Sequence, residues 1–439
     1  MKVYFLSMEL DSLLVQEIGT MREKSLPFDK SEEIKKRLYD TIISSWEKKE
    51  IFANIRKILN PSYGKYNSTF FFSGERGLTE YSSMYNTILV EKSLCRDFYP
   101  LRMEIHPSDT IPVILAHAEN EVVKGHDIMR AINASYQVSS TFAEFMQKSG
   151  KLKSDIPIAA GMAAGIGVIH NLEGNTFQKF LAYSINLSGA EKYYMFRNSF
   201  RSSFYARELS FLYRIIGEIP EQRIDLNIFK DIGGEHLLDF RKDRVSKTVI
   251  KYYPVDDLLI SAIEAVTSLR EKVKGDILDI RVEIPEVIYS RNVKKDESDN
   301  LKNIEELKRS LKFIISYAHS YGPPRIESYN EAFITDVNIK GLMEKIKVSI
   351  SDKFDNLFPE FLPTKLTYET DQGIFEKEVD VPYGYYRNPI SWNDLKDKGF
   401  KLLRNDDFNN QLLEFIKNFD DKSVDELMEV MNNAPVKGK

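Results

Sequence analysis

A chain of 439 residues is too long for one core of ordinary size and points to two domains or a large body with an insertion. Apolar residues at 42% and charged residues at 29% describe a folding globular protein, which excludes a disordered one. A net charge of -5, with Lys and Arg interleaved among Asp and Glu, excludes a basic stripe and argues against a nucleic-acid partner.

Glu9 and Asp11 come too early for a signal-peptide core, and no run approaches the roughly 20 apolar residues of a membrane span. The lone cysteine, Cys95, makes no internal disulfide, thiolate zinc site or iron–sulfur cluster by itself. A reducing cytoplasm and no membrane association are the expectations.

Asp29 with Glu32 reads as a capping pair, and Ile34, Leu38, Ile42 and Trp46 follow at helical spacing. The same period runs through "HDIMRAINASYQVSSTFAEFM", "NTFQKFLAYSINLSG", "SSFYARELSFLYRIIGEI" and "VDDLLISAIEAVTSLREKV", with few strand candidates between them. This predicts a large all-α body.

The signal then changes. Ile280, Val282 and Ile284 alternate with charged residues, as do Ile346, Val348 and Ile350, which predicts strands with one wet face. "TKLTYET" and "IFEKEVDV" flank Asp371-Gln372-Gly373 and predict a hairpin. A helix is expected in "LKRSLKFIISYAHSYG", and the charged stretch at 291–300 reads as a loop. Ser391 can cap a helix that returns the chain to the first body. The fold class is therefore mainly α. A large all-helical domain of residues 1–265, completed by 391–439, accompanies a smaller α+β domain of 266–390.

In "YPLRMEIHPSDTIPVILAHAE", Ser108 or Asp109 can cap a helix and Pro112 fits its first turn, which sets His106 just outside the helix start. A neutral imidazole there could act as a base beside a bound carboxylate; the plainer reading is a His-Pro turn entering a helix. Gly161, Gly165 and Gly167 make no phosphate loop: no strand precedes them, and their order is not G-x-G-x-x-G. Small residues at that spacing let a buried helix approach its neighbours. Lys192, with Arg197 and Arg201 nearby, and Lys251 before Pro254 are cations that would suit a substrate with several carboxylates, or ordinary surface charges. His117, His126, His170, His236 and His319 have no metal-ligand spacing, so no metal is expected.

The order of a helical body, then "IKYYPVDDLLISAIEAVTSLREKVKGDILDIRVEI", the F-P-E-x-x-P turn and the N-P-x-S-W helix start resembles the MmgE/PrpD family. Its members include 2-methylcitrate dehydratase, cis-aconitate decarboxylase and iminodisuccinate epimerase. The resemblance implies an all-helical domain made from both chain ends, a smaller α+β lid and a homodimer. It also implies a cofactor-free site for small polycarboxylates, where a base removes a proton beside a carboxylate held by cations.

Position by position, the resemblance is partial. His106 matches the family histidine at the helix start, Lys192 the loop lysine and Lys251 the lysine before the Tyr-Pro pair. In the upstream acidic segment Asp97 fits, whereas Leu94 and Phe98 replace an aspartate and a threonine; Asp256 and Phe313 replace a histidine and a tyrosine. A second histidine has no counterpart around "KLKSDIP".

The implied roles are His106 as base or acid, with Asp97 and Asp256 orienting groups or handling protons. Lys192 serves catalysis and, with Lys251 and Arg201, holds carboxylates. The expected function is a hydro-lyase, or a related decarboxylase or epimerase, resembling the dehydratase of propionate metabolism. The alternative is a catalytically silent member that binds carboxylates or partners an active paralogue, because apolar replacements cannot transfer protons.

Overall fold

Apolar side chains three and four residues apart, with few β-branched runs, place most of the chain in helices. The computed structural model describes residues 2–50, 52–59, 67–148, 155–189, 200–219, 239–294 and 301–435. The chain divides into two units, Met1–Thr248 with Trp392–Lys439, and Val249–Ser391. The fold is mainly helical with a small mixed sheet in the C-terminal region. No helix among the described residues is long and apolar enough to cross a membrane.

The first unit contains α1 (Lys2–Glu23), α2 (Phe28–Trp46), α3 (Ala53–Leu59), α4 (Thr79–Glu91), α5 (Ile111–Ala118), α6 (Gly125–Lys148), α7 (Asp155–Ile169), α8 (Gly174–Gly189) and α9 (Arg201–Ile215). Helix α7 packs closely against α6, α5 and α8, and each of its glycines makes room for one of them. A Cβ on Gly161 would lie 2.8 Å from the Ser135 carbonyl oxygen; one on Gly165 would lie 2.6 Å from Ile114 of α5, and one on Gly167 2.3 Å from Phe177 of α8. The small-residue run is thus a packing face, as its spacing suggests.

Two expectations for this unit need correction. Asp29 lies inside the first turn of α2, whose N-cap is Pro27, and Glu32 instead accepts a hydrogen bond from Trp392 Nε1 at 2.9 Å. A short antiparallel hairpin, β1 (Asn67–Thr69) with β2 (Arg76–Leu78), also interrupts the helices. Three-residue strands carry too few alternations to register as a period.

The second unit opens with α10 (Ile260–Leu269), followed by β3 (Ile277–Ile284), α11 (Glu286–Asn292), α12 (Ile304–Arg309), α13 (Leu311–Tyr321) and α14 (Val337–Lys345). Then come β4 (Ile346–Ile350), α15 (Asp352–Leu357), β5 (Thr364–Thr370) and β6 (Gly373–Val379). The sheet order is β4-β3-β5-β6, with β4 parallel to β3 and the other pairs antiparallel. Ile280, Val282 and Ile284 turn inward beside Leu366 and Tyr368, each aliphatic contributing roughly 1.5–3 kcal/mol of burial. On the wet face Arg281 pairs with Glu369 at 2.6 Å. On the edge strand β4 only Ile346 is buried, and Ile350 is 46% exposed, so its alternation marks a strand more than a core. The hairpin turn is Asp371-Gln372, and Gly373 at φ +138° supplies the conformation the turn needs.

The chain re-enters the first unit at α16 (Trp392–Leu403), followed by α17 (Asp406–Lys417) and α18 (Val424–Asn432). The return is anchored by polar groups in the interior. Lys398 donates to Asp40 of α2 and, at 2.9 Å, to the Cys95 carbonyl. Gly399 leaves room for the hydrogen bond between Tyr39 and Asn409.

Candidate functional site

His106 is the N-cap residue of a 3-10 turn, Pro107–Thr110, that leads into α5, where Pro112 sits in the first turn. Neither Ser108 nor Asp109 caps that turn with its side chain, contrary to the expectation from sequence. Ser108 instead gives its backbone N–H to Asp97 Oδ1 at 3.1 Å, and Asp109 is drawn elsewhere.

The His106 ring is fixed by its backbone neighbour. Nδ1 lies 2.7 Å from the carbonyl oxygen of Asp97, an atom that can only accept, so Nδ1 carries a proton. The exchangeable nitrogen is therefore Nε2, which lies 3.3 Å from Oε1 of Glu104. His106 is buried, while the Glu104 side chain is 37% exposed, so the carboxylate is the wetter member of the pair.

Asp97 supports the ring from below. Its buried carboxylate accepts from Ser108 N and, at 2.8 Å, from the Tyr136 hydroxyl. Burial raises its pKa, against those hydrogen bonds, and burial with the Asp97 charge raises that of Tyr136 well above the usual phenol.

A second set of charges borders this cluster. Arg96 grips Asp109 with its NH1 nitrogen, 2.7 and 2.8 Å from the two carboxylate oxygens, and lies 4.0 Å from Glu104. Ser202 also donates to Asp109, at 2.6 Å, and Ser203 donates to Glu91 from its N–H at 3.1 Å and its hydroxyl at 3.0 Å. Both serines lie in the first turn of α9, directly after Arg201, which is half-buried at the helix start. Burial first, then the charge of Asp109, raises the pKa of Glu91. Glu104, Arg96 and Ser202 escape the sequence reading, and Asp109 enters it only as a cap candidate; "HPSD" and "RSS" contain two of the four, but nothing local pairs them.

In the second unit, Lys251 is buried and already partnered. Its Nζ donates to the Val255 carbonyl at 3.0 Å and to Asp257 Oδ1 at 2.7 Å. Asp256 caps the 3-10 turn Asp257–Leu259 by accepting from Leu258 N at 3.3 Å, and Arg291 lies 3.7 Å from its carboxylate. The loop carrying Gly384 (φ +97°) presses on this segment so closely that a Cβ there would lie 2.1 Å from the Ile250 carbonyl oxygen. Phe98 in the first unit and Phe313 in the second are fully packed, and Leu94 is half-buried. Lys192 and Arg197 lie outside the described residues, as does the 295–300 part of the charged loop.

Residues 14–200 match the sequence model of the MmgE/PrpD N-terminal domain, and residues 253–411 match that of the MmgE/PrpD C-terminal domain. The chain belongs to the MmgE/PrpD family. No curated protein matches it. The C-terminal MmgE/PrpD match runs through the whole mixed sheet and on into α17, so it takes in the second unit's sheet and the first helices of the return.

Proposed function

We propose that this MmgE/PrpD protein is a lyase that removes an α-proton from a small di- or tricarboxylate, with His106 as the base. The single observation that carries this reading is the fixed Nδ1 contact with the Asp97 carbonyl, which leaves Nε2 as the proton-exchanging atom and gives it Glu104 as neighbour. Asp97 positions the ring. Lys192, Lys251 and Arg201 are the cations proposed to hold substrate carboxylates, in a cytoplasmic homodimer that needs no cofactor. Among the described residues the Lys251 ammonium donates to two acceptors, and its third proton is the one proposed to reach a substrate oxygen. Asp256, engaged as a cap, is the weaker proton-handling candidate.

A second reading is a catalytically silent binder or partner subunit. It is favoured by the Lys251–Asp257 pair, which occupies one cation, and by the buried Phe98 and Phe313. Proton NMR in deuterated water, with citrate, 2-methylcitrate, cis-aconitate and aminodicarboxylates, separates the two. Deuterium incorporation or product that disappears in His106→Gln supports the lyase. Silence across the panel, with thermal stabilisation by the same anions retained, supports the binder.

A further inference from the structure

A buried row of hydrogen-bonding groups lies apart from the His106 cluster, and the MmgE/PrpD chemistry does not call on it. Glu121 Oε1 is 2.8 Å from His170 Nδ1; His170 Nε2 is 2.8 Å from His117 Nδ1; His117 Nε2 is 2.9 Å from Ser210 Oγ. Ser210 Oγ is in turn 2.7 Å from the Ala206 carbonyl and 3.1 Å from Ser83 Oγ. The row runs from a side chain 41% exposed, Glu121, past a histidine with 3% exposure to fully buried groups on α9 and α4. The Tyr213 ring stacks on His170 at 3.8 Å and holds it in plane.

We propose that Glu121, His170, His117 and Ser210 form a one-proton relay, an acid-sensing element that takes up a single proton without losing a hydrogen bond. Proton counting supports this. In the unprotonated state His170 Nδ1–H donates to Glu121, His117 Nδ1–H donates to His170 Nε2, and the Ser210 hydroxyl donates to His117 Nε2. With one proton added, the order reverses. His170 Nε2–H donates to His117 Nδ1, His117 Nε2–H donates to Ser210 Oγ, and the Ser210 hydroxyl turns to the Ala206 carbonyl already within reach. The charge then sits on His170 beside the Glu121 carboxylate, while His117 stays neutral and exchanges one tautomer for the other.

The fold prepares this site for a cation. His117 is in the last turn of α5 and His170 follows the last residue of α7, so two helix C-termini favour positive charge on the pair. Burial opposes it and holds both imidazoles below the ordinary histidine value, with Glu121 drawing His170 back up. Other charges on the surrounding elements are engaged elsewhere. Glu80 of α4 binds Arg214 of α9, Arg207 binds Glu208, and Glu119 binds Thr69 and Arg76. Arg22 of α1 binds Glu173, and Lys179 of α8 binds the Ile219 carbonyl. Glu121 is thus the carboxylate that acts on the pair. Because α9 also presents Ser202 and Ser203 to Asp109 and Glu91, the relay sets a proton-dependent contact on the helix that borders the His106 cluster.

The test is imidazole nitrogen NMR of the full chain labelled at its six histidines, followed from about pH 8 down to about pH 4.5. The relay predicts that His117 Nε2 gains a proton in the same step in which His170 becomes charged, with His170 Nδ1 protonated throughout. In Glu121→Gln, a change at an accessible carboxylate that leaves the buried packing intact, the midpoint of this step falls by roughly one to three pH units. Two independent titrations, a His117 that keeps one tautomer throughout, or an unmoved midpoint in Glu121→Gln would each overturn the proposal.

Discussion

His106 and Asp97 are joined twice: the ring's Nδ1 bonds the aspartate's carbonyl at 2.7 Å, and the aspartate's carboxylate bonds the N–H of Ser108, two residues beyond the histidine. The carboxylate therefore sets the loop that sets the ring. Asp97→Ala leaves the Ser108 N–H and the Tyr136 hydroxyl without their acceptor, at a cost of about 1–3 kcal/mol for each buried donor. Asp97→Asn retains an acceptor for Ser108, and its amide can donate to the Tyr136 oxygen. Urea unfolding is expected to show a clear loss for the alanine variant and a small one for asparagine. A histidine chemical shift that moves in the first variant and not in the second reports the ring's loss of support.

The buried pair of Lys398 and Asp40 gives a second prediction. Burial raises the Asp40 pKa to about 6 even though Lys398 opposes the rise, so removing the lysine leaves a carboxyl with little reason to ionise. Lys398→Met should cost about 3–5 kcal/mol, and adding Asp40→Leu should recover most of it, since a well-packed apolar pair does as well as a buried ion pair. Denaturation midpoints of the single and double variants, compared with wild type, measure the recovery; equal losses in both would remove the argument.

Two glycines inside helices are expected to respond in opposite directions. Gly161→Ala on α7 drives a methyl group to 2.8 Å from the Ser135 carbonyl oxygen and should destabilise by about 1–3 kcal/mol. Gly341→Ala on α14 meets nothing within 4 Å and should stabilise by about 0.5–1 kcal/mol, because alanine restricts the unfolded chain and favours helix. Melting temperatures of the two variants should fall on either side of wild type.

These contrasts show what a linear reading can reach. The helices of the first unit and the strand face of Ile280, Val282 and Ile284 were legible because burial repeats with the period of the element. The position of His106 was legible because Pro107 and Pro112 mark a helix entry within a few residues. The partners were not. Ser202 and Asp109 are 93 residues apart, His117 and His170 are 53 apart, and Lys398 reaches Asp40 across 358. A polar pair formed by tertiary packing leaves no period behind, and Lys251, open in sequence to being a carboxylate clamp or a surface charge, is buried against Asp257 because of the loop's path.

Glu119 carries the last prediction, one of pH. Its carboxylate is fully enclosed and accepts from Thr69 N at 2.8 Å and Thr69 Oγ at 2.6 Å, with Arg76 at 3.4 Å. Burial raises its pKa from 4.5 to about 7 despite those partners. Between these values the folded protein holds a proton that the unfolded chain releases. The stability this contributes is fully present below the unfolded pKa and is lost as pH rises through the folded one. Glu119→Gln keeps an uncharged acceptor at every pH and should abolish that slope. Relative to wild type, the variant should gain stability on the order of 3 kcal/mol between about pH 4.5 and about pH 8. Urea unfolding at the two ends of that range measures the difference, and parallel curves for the two proteins would show that Glu119 stays ionised in the fold.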